Sequence, residues 1–182
     1  MAELRPQDVL DFWLAAGPDR WFQQDKGFDE EVRQRLLAAH EAVATGAYIF
    51  WIDEPASALA LLILLDQVPR NIFRGTPRAY AADALALAVA AGAVEEGYDQ
   101  AFEMPARGLF YLPFMHAECL ADQERGVALY RAAGDGESLG WAIGHRDIIA
   151  RFGRFPHRNA ILGRASTPEE RRFLDEGGFA GQ

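Results

Sequence analysis

The stretch from Pro55 to Val68 reads PASALALLILLDQV. As a helix it would be apolar all round rather than along one stripe, so it has to be covered on every side. That requirement sets the plan of the chain: a central helix wrapped by others that each have one apolar face. Pro69 is expected to end or kink it, because proline has no N–H to continue the ladder. Half of the 182 residues are apolar, which is enough for a sizeable core. The longest apolar run, Ala56 to Leu65, falls short of the roughly 20 residues a bilayer crossing needs.

The flanking segments carry helix signals. Pro6 opens a helix that runs to Gly17-Pro18, and Trp21 to Asp25 is short and aromatic. Phe28 to Ala44 is amphipathic, with Val32, Leu36, Leu37 and Val43 at helical spacing. Tyr48 to Ile52 has strand-like composition but no second strand to pair with, and is read as a loop or a buried helical turn. Thr76-Pro77 is expected to cap a helix reaching Ala91, and Gly97 to Arg107 to be a connection. Further helices are expected over Pro113 to Arg131, Ser138 to Phe152, and from Thr167-Pro168 onward, where acids occupy the first turn. The tail after Gly177 reads as loose. No Ser-, Gly- or Pro-rich linker divides the chain. The expectation is one all-α domain over residues 1–182, with seven or eight helices stacked as antiparallel pairs.

Charge and cysteine usage narrow the function classes. Formal net charge is -9, so a nucleic-acid backbone would be repelled over most of the surface. The single cysteine, Cys119, precludes an internal disulfide and suits a reducing compartment. Met1 to Pro6 lacks the basic-then-apolar pattern of a secretory signal. Together these predict a cytoplasmic protein with neither nucleic-acid nor membrane partners. All the basic residues but Lys26 are arginine. A GC-rich genome accounts for such a bias, and so does recognition of anions by guanidinium forks.

Position separates those two explanations better than composition. His145 to Asn159, HRDIIARFGRFPHRN, packs four arginines, two histidines and one aspartate among apolar residues. Turning by about 100° per residue, Trp141, His145, Ile148, Ile149 and Phe152 share one arc, while Gly140, Gly144, Asp147, Arg151 and Arg154 face the other way. The two glycines suggest a close approach on that side. On a continuous Pro113–Arg131 helix His116 points at the core and Glu118 away from it, which makes a poor metal pair. Antiparallel packing would separate His116 from His145 by roughly 13 Å along the axis and bring it beside Arg154 and His157. Asp66 is the other anomaly, a carboxylate on a buried arc that demands a cation. Arg70 is near in sequence, but Pro69 spoils the four-residue spacing, so Arg151 or Arg154 could serve from across the core.

Three stretches carry a resemblance: Asp66 to Thr76 (DQVPRNIFRGT), Pro113 to Glu118 (PFMHAE) and His145 to Arg164. With them the chain resembles the bacterial domain-of-unknown-function family 924 over nearly its whole length. Val68 stands where the pattern has Phe, and Ala117 where it has Ser. The resemblance implies an all-helical architecture similar to tetratricopeptide-repeat folds. It implies no reaction.

Three functional readings follow from the residues. In the first, Arg70, Arg74, Arg151, Arg154 and Arg158 grip a small carboxylate or phosphate ligand. His116 and His157 are then the candidate acid or base, with Asp66 or Asp147 orienting one of them and Asn71 and Asn159 fixing the ligand. In the second, a helical-repeat surface holds a protein or peptide partner. In the third, the same charges are buried pairs that tie helices together. No Gly-rich phosphate loop, nucleophile elbow or HExxH pattern is present, and neither a cofactor nor a metal is expected.

Overall fold

The computed structural model describes residues 4–178, and the loose tail expected after Gly177 falls almost wholly outside them. Among the described residues the fold is all-α, with no strand. Every residue from Ser57 to Phe73 is buried. This rod consists of α4 (Pro55–Leu62), a π-helical turn (Ile63–Gln67) and a further helix, Val68–Ile72.

Pro69 therefore does not end the helical path. The Val68 N–H reaches back five residues to Ile63 O, so the ladder widens just before the proline that cannot donate to it. The carbonyls loosened there are taken by side chains. His40 Nδ1 lies 2.9 Å from Leu64 O, and Arg70 donates to Asp66 O at 2.8 Å.

Three helices cover the rod. They are α1 (Pro6–Ala16) against α4, α3 (Lys26–Ala44) against the π turn and the helix after it, and α6 (Asp83–Glu95) against α4 and the π turn. Two short helices complete the first half: α2 (Pro18–Trp21) follows α1, and Val68–Ile72 is α5. Pro77–Tyr80 forms only one 3₁₀ turn before the chain restarts as α6 at Asp83. The helix expected to reach Ala91 continues through Gly92 to Glu95. Ile49–Asp53, expected to be a loop or a buried helical turn, is a 3₁₀ turn that buries Trp51 and leaves Ile49, Phe50 and Ile52 exposed.

The helix expected over Pro113 to Arg131 is two: α7 (Leu112–His116) and α8 (Leu120–Ala133). Between them Ala117 and Cys119 are extended, so Glu118 lies outside any helix, and His116, the last residue of α7, is out of register with α8. A Cβ on Gly126 would lie 3.1 Å from Phe114 Cβ, and that absent side chain lets α8 lie close over α7. Gly140 and Gly144, by contrast, face open space. The close approach occurs at a glycine on the neighbouring helix.

A two-residue connection, Gly134-Asp135, joins α8 to α9 (Gly136–Phe152), and the two pack as a hairpin. Asp135 caps α9 by accepting from the Ser138 amide. Ile148, Ile149 and Phe155 form a small second core with Phe152 and Phe173. It seats α10 (Pro168–Asp175), whose start is a reciprocal capping box between Thr167 and Glu170, as the acids after Thr167-Pro168 suggest.

Candidate functional site

A cavity of about 720 Å³ opens beside the C-terminal end of the rod. Gln67, Arg70 and Asn71 reach it from the rod and Arg74 from the turn just after it, and His116 comes from the last turn of α7. Trp141 and His145 come from α9, and His157 and Arg158 from the turn beyond. Met104, Leu109, Leu112 and Met115 make its walls apolar, while Phe22 and Trp141 stand exposed at its edge. A mostly apolar concavity with a few convergent polar groups is the usual form of a small-molecule site.

The polar floor is a chain of paired groups. Asp66 is 1% exposed. Its Oδ1 lies 2.8 Å from His116 Nδ1 and 3.2 Å from Arg70, and its Oδ2 accepts from Gln67 at 2.6 Å. Arg70 continues to Asp83 through two hydrogen bonds of 2.9 and 3.0 Å, and Asp83 also accepts from Arg158 at 3.3 Å. Burial alone would raise the Asp66 carboxyl, but Arg70, His116 and Gln67 outweigh it and hold it well below the usual carboxylate range. Arg70 is raised, because Asp66 and Asp83 together overcome its desolvation. The partner of Asp66 is thus Arg70, four residues on despite Pro69, and neither Arg151 nor Arg154.

Arg158 is held differently. It is buried, with its guanidinium against the rings of Tyr80 and Phe155 at 4.5 and 4.6 Å. Among the described residues its hydrogen bonding amounts to the 3.3 Å contact with Asp83, and its Nε is buried without a partner. Burial, and then Arg70 nearby, push its pKa below the ordinary arginine value. A desolvated cation with one weak ion pair is costly to bury, and an anion beside its guanidinium would offset that cost.

Three imidazoles line the same space. Burial holds His145 at about 4, against the opposing pull of its 2.8 Å hydrogen bond to Trp141 O. Burial and then Arg158 hold His157 at about 4. His116 is lowered by burial and Arg70, with Asp66 opposing. At neutral pH all three are uncharged. Because Asp66 is ionised, His116 must donate its Nδ1–H to it, which leaves the lone pair on Nε2. Among the described residues no group of three His, Cys, Asp or Glu side chains could hold a metal ion.

The candidate residues read from the sequence divide between this cavity and elsewhere. Arg70, Asn71, Arg74, His116, His157 and Arg158 line it, with Asp66 directly behind. Arg74 and Asn71 are also tied to Asp29, by bonds of 2.8 and 3.1 Å and of 2.8 Å respectively. Asp147 is exposed and paired with Arg146, and Arg151 is exposed and paired with Glu169. Arg154 forks onto Glu170 at 2.6 and 2.8 Å. Asn159 is buried, accepts from Arg164 and donates to Ser166 and Glu170. Arg164 in turn grips Glu118 at 2.6 and 2.9 Å, and Glu118 accepts the Phe155 amide at 2.7 Å. These last groups form a second network that pins the C-terminal turn and α10, away from the cavity.

Sequence reasoning missed His145 and Asp83. His145 lies on the apolar arc of α9 that its spacing predicts, but that arc borders a cavity rather than solid core. Asp83 gives no first-turn signal in a helix expected to start at Thr76-Pro77; the structure starts α6 at Asp83, which is the shared counterion of two arginines.

The chain matches the family model described as bacterial protein of unknown function (DUF924) over residues 9–178. A solved structure of a protein of unknown function from Agrobacterium tumefaciens superposes with a TM-score of 0.91 at 49% sequence identity. That alignment covers 94% of this chain and 97% of the other. No curated protein matches it.

Proposed function

The chain belongs to the bacterial DUF924 family, and we propose that its cavity binds a small organic anion, a carboxylate or a phosphate ester with an apolar body. The observation that carries this reading is Arg158, a buried cation whose Nε has no partner and which lines the cavity. Asp83 is already held by two hydrogen bonds from Arg70, at 2.9 and 3.0 Å, so it pairs only weakly with Arg158, at 3.3 Å. The apolar walls and the exposed Phe22 and Trp141 would hold the ligand's body.

Thermal denaturation with inorganic phosphate, with benzoate and with phenyl phosphate tests the reading and separates the head groups. A ligand at a hundred times its Kd stabilises by about 2.7 kcal/mol, an increase in Tm of roughly 5–11 °C for a chain of this size. The Arg158→Gln variant should lose the shift while melting cooperatively. An equal shift in that variant, or no shift from any of the anions, rejects the proposal. A second reading, a protein partner, draws on the exposed apolar turn of Ile49, Phe50 and Ile52. It predicts that Phe50→Asp abolishes capture of a stoichiometric partner and leaves anion binding intact.

A further inference from the structure

The central rod is otherwise the most apolar part of the chain, yet it carries one carboxylate whose oxygens are both engaged. A buried charge held by Arg70, Gln67 and His116 is not an economical way to join helices, since apolar residues of like volume commonly do as well or better. What the carboxylate does achieve is to fix His116. With Nδ1–H on Asp66 at 2.8 Å, the ring's orientation and tautomer are set, and Nε2 keeps its lone pair on an imidazole that lines the cavity. An aspartate that orients an imidazole in this way is the arrangement of a general base.

We infer that His116 is a general base, positioned by Asp66, that removes a proton from the carbon next to the carbonyl of a bound 2-oxo acid. The inference rests on the anion-binding reading, because the acid's carboxylate sits at Arg158. In the step, the Nε2 lone pair forms an N–H bond as the C–H bond breaks. The C–H electron pair moves through the new C=C bond and the carbonyl π pair moves to its oxygen, giving an enolate and an imidazolium. Return of the proton from Nε2 to carbon restores both partners, so no oxidant or co-reactant is required. Asp66 stabilises the imidazolium and Arg158 the added negative charge. The cavity's hydroxyls do not suggest a nucleophile for this base. Tyr130 donates to Gly108 O at 3.0 Å, and Ser138 lies in the first turn of α9 with no hydrogen bond to His116 among the described residues.

Proton NMR in deuterium oxide tests the step, with pyruvate, 2-oxobutyrate and phenylpyruvate as probes and loss of the signal beside the keto group as the readout. The protein should accelerate deuterium uptake saturably for at least one acid. His116→Gln should lower that rate by about 100-fold or more while the acid still shifts Tm. Asp66→Asn, a positioning change, should lower the rate and displace its pH profile, whose acid limb reports protonation of the base. Acids that bind with no exchange above buffer, or exchange that His116→Gln leaves intact, overturn the base. If no acid shifts Tm, the anion-binding reading itself fails, and the base proposal falls with it.

Discussion

Acidification from pH 7 to pH 5 should destabilise this protein steeply, and the cause should be its neutral histidines. His145 is 9% exposed and held at about 4, against 6.5 when unfolded. Between those two values the unfolded chain binds more protons than the folded one, so stability rises with pH and is lost as pH falls from about 6.5 toward 4. Linkage puts the loss at about 2 kcal/mol for His145 on going from pH 7 to 5. His157, also at about 4, adds a similar amount, and His40 and His116 are lowered in the same sense. A total of about 4 kcal/mol corresponds to a fall in Tm of roughly 8–16 °C for a chain of this size. Carboxylates act in a lower window. Glu170, held at about 2 by its hydrogen bond from Arg154, loses its contribution only as pH drops below about 4.5. Urea unfolding at pH 7, 6 and 5, followed by tryptophan fluorescence, separates the two. His145→Phe should flatten the slope near pH 5 by up to about 1.4 kcal/mol per pH unit. A wild-type stability that is flat from pH 7 to 5, or a slope His145→Phe does not change, would refute the assignment of neutral, desolvated imidazoles.

Three substitutions probe the two networks. Asp66→Asn leaves a buried guanidinium short of a counterion and should cost about 3–5 kcal/mol in denaturant unfolding. Thr167→Ala removes a capping box and should cost about 1 kcal/mol, with amide exchange quickening first in α10. Arg151→Ala breaks a pair whose side chains are more than half exposed, so stability should change by less than about 0.5 kcal/mol, and anion-induced shifts in Tm should be unaltered.

Much of the fold was legible because single residues announce helix starts. Pro6, Pro55 and Thr167-Pro168 each stand at the head of a helix, and the all-round apolar stretch after Pro55 had to be central. What could not be read was backbone that departs from a uniform α register. The apolar spacing of Pro113 to Arg131 runs unbroken through Ala117 to Cys119, where the chain is extended. An axial separation computed along one ideal helix therefore kept His116 and His145 apart, although they line one cavity. The π turn was equally silent, because its residues, Ile63 to Gln67, are compatible with a plain helix. Asp66 was recognisable as a buried charge from its apolar neighbours. Its partner was not, since the four-residue step to Arg70 across Pro69 looks spoiled until the widened turn is seen. The arginines of the C-terminal stretch divide for a reason no spacing rule contains: Glu169 and Glu170, from a later helix, claim Arg151 and Arg154, while Arg158 pairs with Asp83 beside the cavity.

Arg158 lines the cavity with one weak ion pair, to Asp83 at 3.3 Å, and is proposed to meet a ligand anion there. Crystals grown with 4-iodobenzoate, measured for iodine anomalous scattering, test it most directly. An iodine peak is expected between the apolar walls of the cavity, with the carboxylate within hydrogen-bond distance of the Arg158 guanidinium. Iodobenzoate ordered only on the outer surface, with Arg158 Nε satisfied by a protein group and the cavity closed, would contradict it.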